Sequence, residues 1–232
     1  MLRFLRGLAA LALLPIGVGA TLSAVDVLKG SGRAMEFWFA FGAGGAAWIL
    51  VFTLLPKPLW LYVVGHELTH AIWGLLFGAR IKSLRATSKG GQVVLSRSNT
   101  VIALAPYFFP FYTIVFAVVM FGIRLIWKHP WMDPLFHFGL GMTYAFHATL
   151  TLWILRIRQS DITGEGYLLS AAVIWLGNVL TVVVAVPILT GLGPPWEPLH
   201  SVFLNTGRSV DLMIHAVSAL LHRAELLRVG WR

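Results

Sequence analysis

No cysteine occurs in the chain. Disulfides and thiolate metal sites are thereby excluded, and any metal must be held by His, Asp or Glu. Acidic residues are scarce as well, nine Asp and Glu against eighteen Lys and Arg, for a formal charge of +9. In a soluble protein that excess would point to nucleic acid. Here the basic residues fall mostly between apolar runs, as they do in loops facing anionic lipid, so the expected partner is the lipid bilayer and no nucleic acid is expected. Charged residues make up only 12% of the 232 positions, and 58% are hydrophobic. Such a composition is far from that of soluble domains and predicts an all-α polytopic membrane protein.

About six transmembrane helices can be read along the chain. Arg3 and Arg6 precede an apolar stretch from Leu8 that continues to Leu28. Its small-residue patch Gly17-Val18-Gly19-Ala20 resembles a secretory cleavage region, but the run is long enough to cross a bilayer and we read it as an uncleaved first span. A second span covers about 37–55, where Gly42, Gly44 and Gly45 allow close helix packing. Pro56-Lys57-Pro58 separates it from a third, about 59–77. Residues 1–58 thus form two N-terminal helices ahead of a core at 59–190. Between 79 and 99 the pattern changes, with Arg80, Lys82, Arg85, Lys89 and Arg97 interspersed among apolar residues. A membrane-associated β-hairpin is expected at about 80–97, with its turn at Gly90-Gly91 and Gln92 to Ser96 as its second strand. The fourth span, 101–126, is interrupted by Pro106 and Pro110, which should kink or break it beside a polar cavity. A fifth runs from 135 to 157, a polar turn from 156 to 166, and a sixth from 167 to about 189. Residues 196–232 form a C-terminal tail in which Val210, Met213, Ile214, Val217, Leu220, Leu221 and Ala224 keep helical spacing, an amphipathic helix too polar to span. Basic residues divide evenly between the two alternating sets of loops, leaving orientation open.

Within the third span lies His66-Glu67-Leu68-Thr69-His70. Two histidines four residues apart share one helix face, so both imidazoles can reach one Zn²⁺ while Glu67 points toward the metal's open position. Buried in lipid, these three polar groups would each be costly unless they lined a cavity or held a ligand. Glu67 is also the one acid near the centre of any expected span. The pattern is that of a metal-activated water with a carboxylate as general base.

A catalytic zinc takes three protein ligands, and the third must come from elsewhere. Candidates are His147, Asp161, Glu165 and His137. Two crossings separate the third span from the 158–166 segment, which therefore returns to the face where the motif helix ends; Asp161 reaches the site if its segment is unwound and dips inward. His147 matches the motif in depth. Spacing alone leaves these two open.

Residues 66–91, HELTHAIWGLLFGARIKSLRATSKGG, resemble the core of the site-2 protease family of intramembrane zinc metalloproteases: a zinc motif within a transmembrane helix, a small residue after the second histidine, then Gly and a membrane-associated hairpin. The resemblance covers about 59–185. In that family the third ligand is an Asp at the start of a later core helix, usually followed directly by Gly. It implies Asp161 here, although Ile162 and Thr163 stand between it and Gly164. The resemblance further implies Zn²⁺ on His66, His70 and Asp161, Glu67 as catalytic base, and a transmembrane or membrane-associated protein substrate. Gln92, Val93, Val94 and Leu95 would hold that substrate in extended form by strand pairing. The expected location is a multi-pass position in a bacterial-type cell membrane. The alternative is a non-proteolytic polytopic protein, a transporter or metal-binding regulatory relative, using the same histidines.

Overall fold

The computed structural model describes residues 1–87 and 90–229. Lys89 of the expected basic hairpin, the side chain of Ala224 and the last three residues of the tail lie outside the described residues. The described residues are predominantly helical with one two-stranded sheet, and the chain divides into two units, 1–31 with 179–232 and 32–178.

In the first unit, α1 (Leu2–Gly30) packs on the N-terminal half of α9 (Trp196–Val229). The small-residue patch explains the contact: a side chain at Gly19 would collide with Thr206, and Ala20 is wholly buried. Beside it Asn205 donates to Ser23 (3.0 Å), pairing two polar groups between the helices. α9 begins well before the amphipathic spacing does, and its later apolar residues, such as Leu212 and Leu220, are exposed.

The second unit begins with α2 (Met35–Leu54), which crosses α6 (Met132–Ile154) at two glycines. Gly44 lies on the carbonyl of Phe138 and Gly141 on that of Phe41, so neither position has room for a Cβ. Gly42 faces open space, so of the expected packing glycines it takes no part. Trp48 donates its indole N–H to Thr149 (2.8 Å) and joins Tyr62, Phe146 and Leu150 in a buried cluster.

α3 (Leu59–Leu76) carries the motif and stops at Gly78, whose φ of +70° turns the chain into the hairpin. Strand β1 (Ile81–Thr87) pairs antiparallel with β2 (Gly90–Leu95). Thr87 is the partner of Gly90 and Ala86 of Gly91. Gly90 and Gly91 therefore open the second strand rather than forming the turn, a correction to the expected register: Gly91 admits close approach of another element, whereas Gly90 (φ +139°) faces open space.

The proline pair does break its helix. α4 (Thr100–Leu104), capped by Asn99 accepting from the Ile102 N–H, runs into a single 3-10 turn at Ala105–Tyr107, and α5 (Phe111–Ile126) leaves it at 74°. Asn178 donates to the freed Tyr107 carbonyl (3.1 Å), which accounts for an amide within an apolar helix. The 158–166 segment also departs from expectation. Instead of unwinding, Ser160–Glu165 forms a short helix, α7, ended by Gly166 (φ +91°) before α8 (Tyr167–Thr190). Thr163 donating to the Gln159 carbonyl and Ser170 to that of Ile162 satisfy groups an unwound loop would leave open.

Among the described residues three helices are long and apolar enough to cross a membrane, residues 3–33, 35–54 and 167–190, and the bent α4–α5 pair makes a fourth if counted as one span. α3 and α6 stand apart from that set. α3 has 18 residues, about 27 Å of helix against a hydrocarbon core of about 30 Å, and holds His66, Glu67 and His70. α6 carries Asp133, His137 and His147.

Candidate metal centre

Helical spacing puts His66 and His70 one turn apart on the face of α3 that meets the 3-10 turn at Ala105–Tyr107, with ring centroids 4.9 Å apart. Asp161 enters from α7. One carboxylate oxygen, Oδ2, stands 3.3 Å from His66 Nε2 and 3.6 Å from His70 Nε2. The three donor atoms lie within 4.8 Å of one another, and the group can hold a metal ion. Tetrahedral ligands at 2.0–2.1 Å from a shared ion are separated by about 3.3 to 3.4 Å, which the His66 separation matches and the His70 separation slightly exceeds.

Hydrogen bonding supports the fit. His70 Nδ1 lies 2.9 Å from the Ile102 carbonyl oxygen, which can only accept, so Nδ1 carries a proton. In the neutral ring Nε2 then presents a lone pair to Asp161 Oδ2, itself an acceptor. Two acceptors then face each other across 3.6 Å, an arrangement that either a proton on Nε2 or a metal ion between them reconciles. Tyr107 donates its hydroxyl to the same Oδ2 (3.0 Å) and fixes the carboxylate. His66 has no corresponding support: its Nδ1 is buried without a hydrogen-bond partner.

Glu67 is buried beside the two histidines, 6% exposed. Gly91 of β2 packs directly on its side chain and leaves no room for a Cβ, while the Val93 backbone N–H donates to its carboxylate. Leu95 is seated on Gly74 of α3. Val93 and Leu95 are half-buried, whereas Gln92 and Val94 are exposed.

The other candidate ligands lie elsewhere. Glu165 accepts from Thr100 (2.8 Å) and ties α7 to α4. His137 packs edge-on against Phe37, centroids 5.0 Å apart. His147 is buried behind His66, the two sharing a narrow cavity, and does not join the donor group. Sequence reasoning missed Tyr107, the Ile102 carbonyl and Gly91. A signal existed for Tyr107, since a phenol between two helix-breaking prolines in an apolar segment needs a hydrogen-bond partner. No protein-family model, no curated protein and no solved structure matches this chain.

Proposed function

We propose that the chain is an intramembrane zinc endopeptidase of the site-2 protease type, acting on membrane-embedded or membrane-proximal protein segments. The observation that carries the reading is the convergence of His66, His70 and Asp161 on one point beside a buried carboxylate, Glu67. Sequence-distant groups of this kind, brought together in an apolar helix bundle, are what metal-assisted hydrolysis requires.

Zinc held there would act as a Lewis acid, activating a water and offsetting the negative charge that develops on the peptide carbonyl oxygen. Asp161, anchored by Tyr107, and His70, anchored by the Ile102 carbonyl, hold that position without reorganising. Glu67 takes the proton from the attacking water and returns it to the leaving amine. Strand β2 would offer the substrate main chain an edge once the Val93 N–H is released from Glu67. A helical substrate must unwind to use it.

In this reading the protein crosses a bacterial-type cell membrane six times, with α3 and α6 as additional spans, His66, Glu67 and His70 of α3 lying at the site and His147 of α6 lining the neighbouring cavity. Outward-facing apolar residues such as Phe39, Leu54 and Ile126, 82%, 77% and 91% exposed, suit lipid rather than water.

The seat of the hairpin on Glu67 favours a second reading, a metal-binding membrane protein without proteolysis, in which the carboxylate stays engaged with Val93. Metal analysis of the purified protein combined with cleavage of a co-expressed membrane substrate separates the two. Bound zinc with cleavage that is lost in Glu67→Gln supports the protease. Full cleavage by Glu67→Gln sinks it, and zinc without cleavage of any membrane substrate favours the second reading.

A further inference from the structure

His66 and His70 are supported unequally. The Ile102 carbonyl orients His70 through the nitrogen facing away from Asp161, whereas the equivalent nitrogen of His66, Nδ1, is fully buried and unpartnered. A buried polar atom left in that state keeps its full desolvation penalty with no hydrogen bond to offset it. His66 also lines a cavity together with His147, Thr69 and Tyr62, and otherwise mostly aromatic side chains and glycine. Its volume is about 10 Å³, the space swept by the centre of a single water molecule. His147 is itself only 8% exposed. Among the described residues no hydrogen bond reaches either of its ring nitrogens, and the one neighbouring ring is Tyr144, at 6.5 Å. Two buried imidazoles thus border one water-sized space.

We propose that His147 is a positioning residue for the metal centre, holding one water that accepts a hydrogen bond from His66 Nδ1–H and donates to a ring nitrogen of His147. The water does for His66 what the Ile102 carbonyl does for His70: it selects the Nδ1–H tautomer, points the Nε2 lone pair toward Asp161, and raises the basicity of that nitrogen. This accounts for a histidine deep in α6 that reaches neither the substrate side nor the donor group. Only a side chain with an acceptor at this reach completes the bridge. The inference rests on the zinc reading above, because a hydrogen-bonded His66 without a metal would gain nothing from a fixed Nε2 lone pair.

The test compares wild type, His147→Leu and His147→Gln as purified full-length proteins. Zinc affinity is measured by chelator competition, the Co²⁺-substituted visible spectrum is recorded, and thermal unfolding shows that each variant is folded. His147→Leu should lose 10- to 100-fold in zinc affinity, the range found for groups that orient a ligating histidine. Its cobalt spectrum should shift. His147→Gln, which restores an acceptor, should recover most of the affinity and the spectrum. Wild-type affinity and spectrum in folded His147→Leu overturn the proposal, as does a Gln variant as impaired as the Leu variant, since His147 would then matter only for packing. If wild type itself binds neither Zn²⁺ nor Co²⁺, the function reading falls with it; tight metal binding by wild type and Leu variant alike overturns the water bridge alone.

Discussion

At the residue scale the decisive feature is the meeting of acceptors at Asp161 Oδ2. In the neutral ring His70 Nε2 and Oδ2 both face inward with lone pairs once the Ile102 carbonyl has claimed the His70 proton, and under the proposed function a bound metal ion would reconcile them. Removing the hydroxyl that holds Oδ2 should therefore weaken the metal without removing a ligand. Tyr107→Phe is expected to lose roughly 10- to 100-fold in zinc affinity, read by chelator competition, with unfolding temperature little changed. Asp161→Ala should abolish stoichiometric zinc outright in metal analysis. Glu67→Gln should behave oppositely, retaining zinc while cleavage of a membrane substrate falls by about 10²- to 10⁴-fold, the usual contribution of a general base. The two histidines and Glu67 were legible from spacing alone, because an i, i+4 pair shares a helix face whatever surrounds it. Tyr107 was not, since its contact depends on where a broken helix and α7 come to rest.

Among the elements, the hairpin and α7 position the chemistry through glycine. Gly91 lies on Glu67 with no room for a Cβ, so Gly91→Val must push either the strand or the carboxylate aside. The expected outcome is intact zinc stoichiometry with strongly reduced cleavage; unchanged cleavage would mean that β2 leaves Glu67 during turnover. Gly166 adopts φ +91° where α7 gives way to α8, a conformation that costs a side-chain-bearing residue about 1 to 3 kcal/mol. Gly166→Val should relieve that strain by shifting α7, lowering zinc affinity from a position that touches no ligand, again measurable by chelator competition. The sequence pattern identified a hairpin and a proline break because β-alternation and missing N–H groups are local properties. It misplaced the hairpin turn by treating Gly-Gly as a bend, when both residues lie in β2 and Gly91 lets that strand approach α3. It also took a polar segment for an unwound loop, although Ser160 to Glu165 close their own backbone hydrogen bonds as α7.

For the whole molecule, the six-span proposal makes a prediction that the absence of cysteine renders easy to test. Single cysteines placed at Gly32, Arg97 and Arg158 should react with an impermeant thiol reagent from one side of the membrane, and those at Lys57 and His129 from the other. A protein crossing only through the three long apolar helices and the bent pair would leave Gly32 and Lys57 on opposite sides but place Lys57 and Arg97 on the same one. The polar content of α3 and α6 makes this the informative comparison, because a helix carrying histidines and an acid enters lipid only as part of a bundle that faces those groups inward.

By itself the sequence determined that this is an apolar, helix-rich chain with stretches able to enter a membrane, and that His66, Glu67 and His70 share one helix as a unit. Those properties follow from composition and from periods of a few residues, which act within a single element. Only the tertiary structure decided which distant group joins the pair: Asp161 meets the histidines, while Glu165 is taken up by Thr100, His137 by Phe37, and His147 sits behind His66. That choice rests on a 74° bend at the prolines and a six-residue helix ended at Gly166, where backbone geometry summed over two breaks sets an ångström-scale contact between residues 95 positions apart.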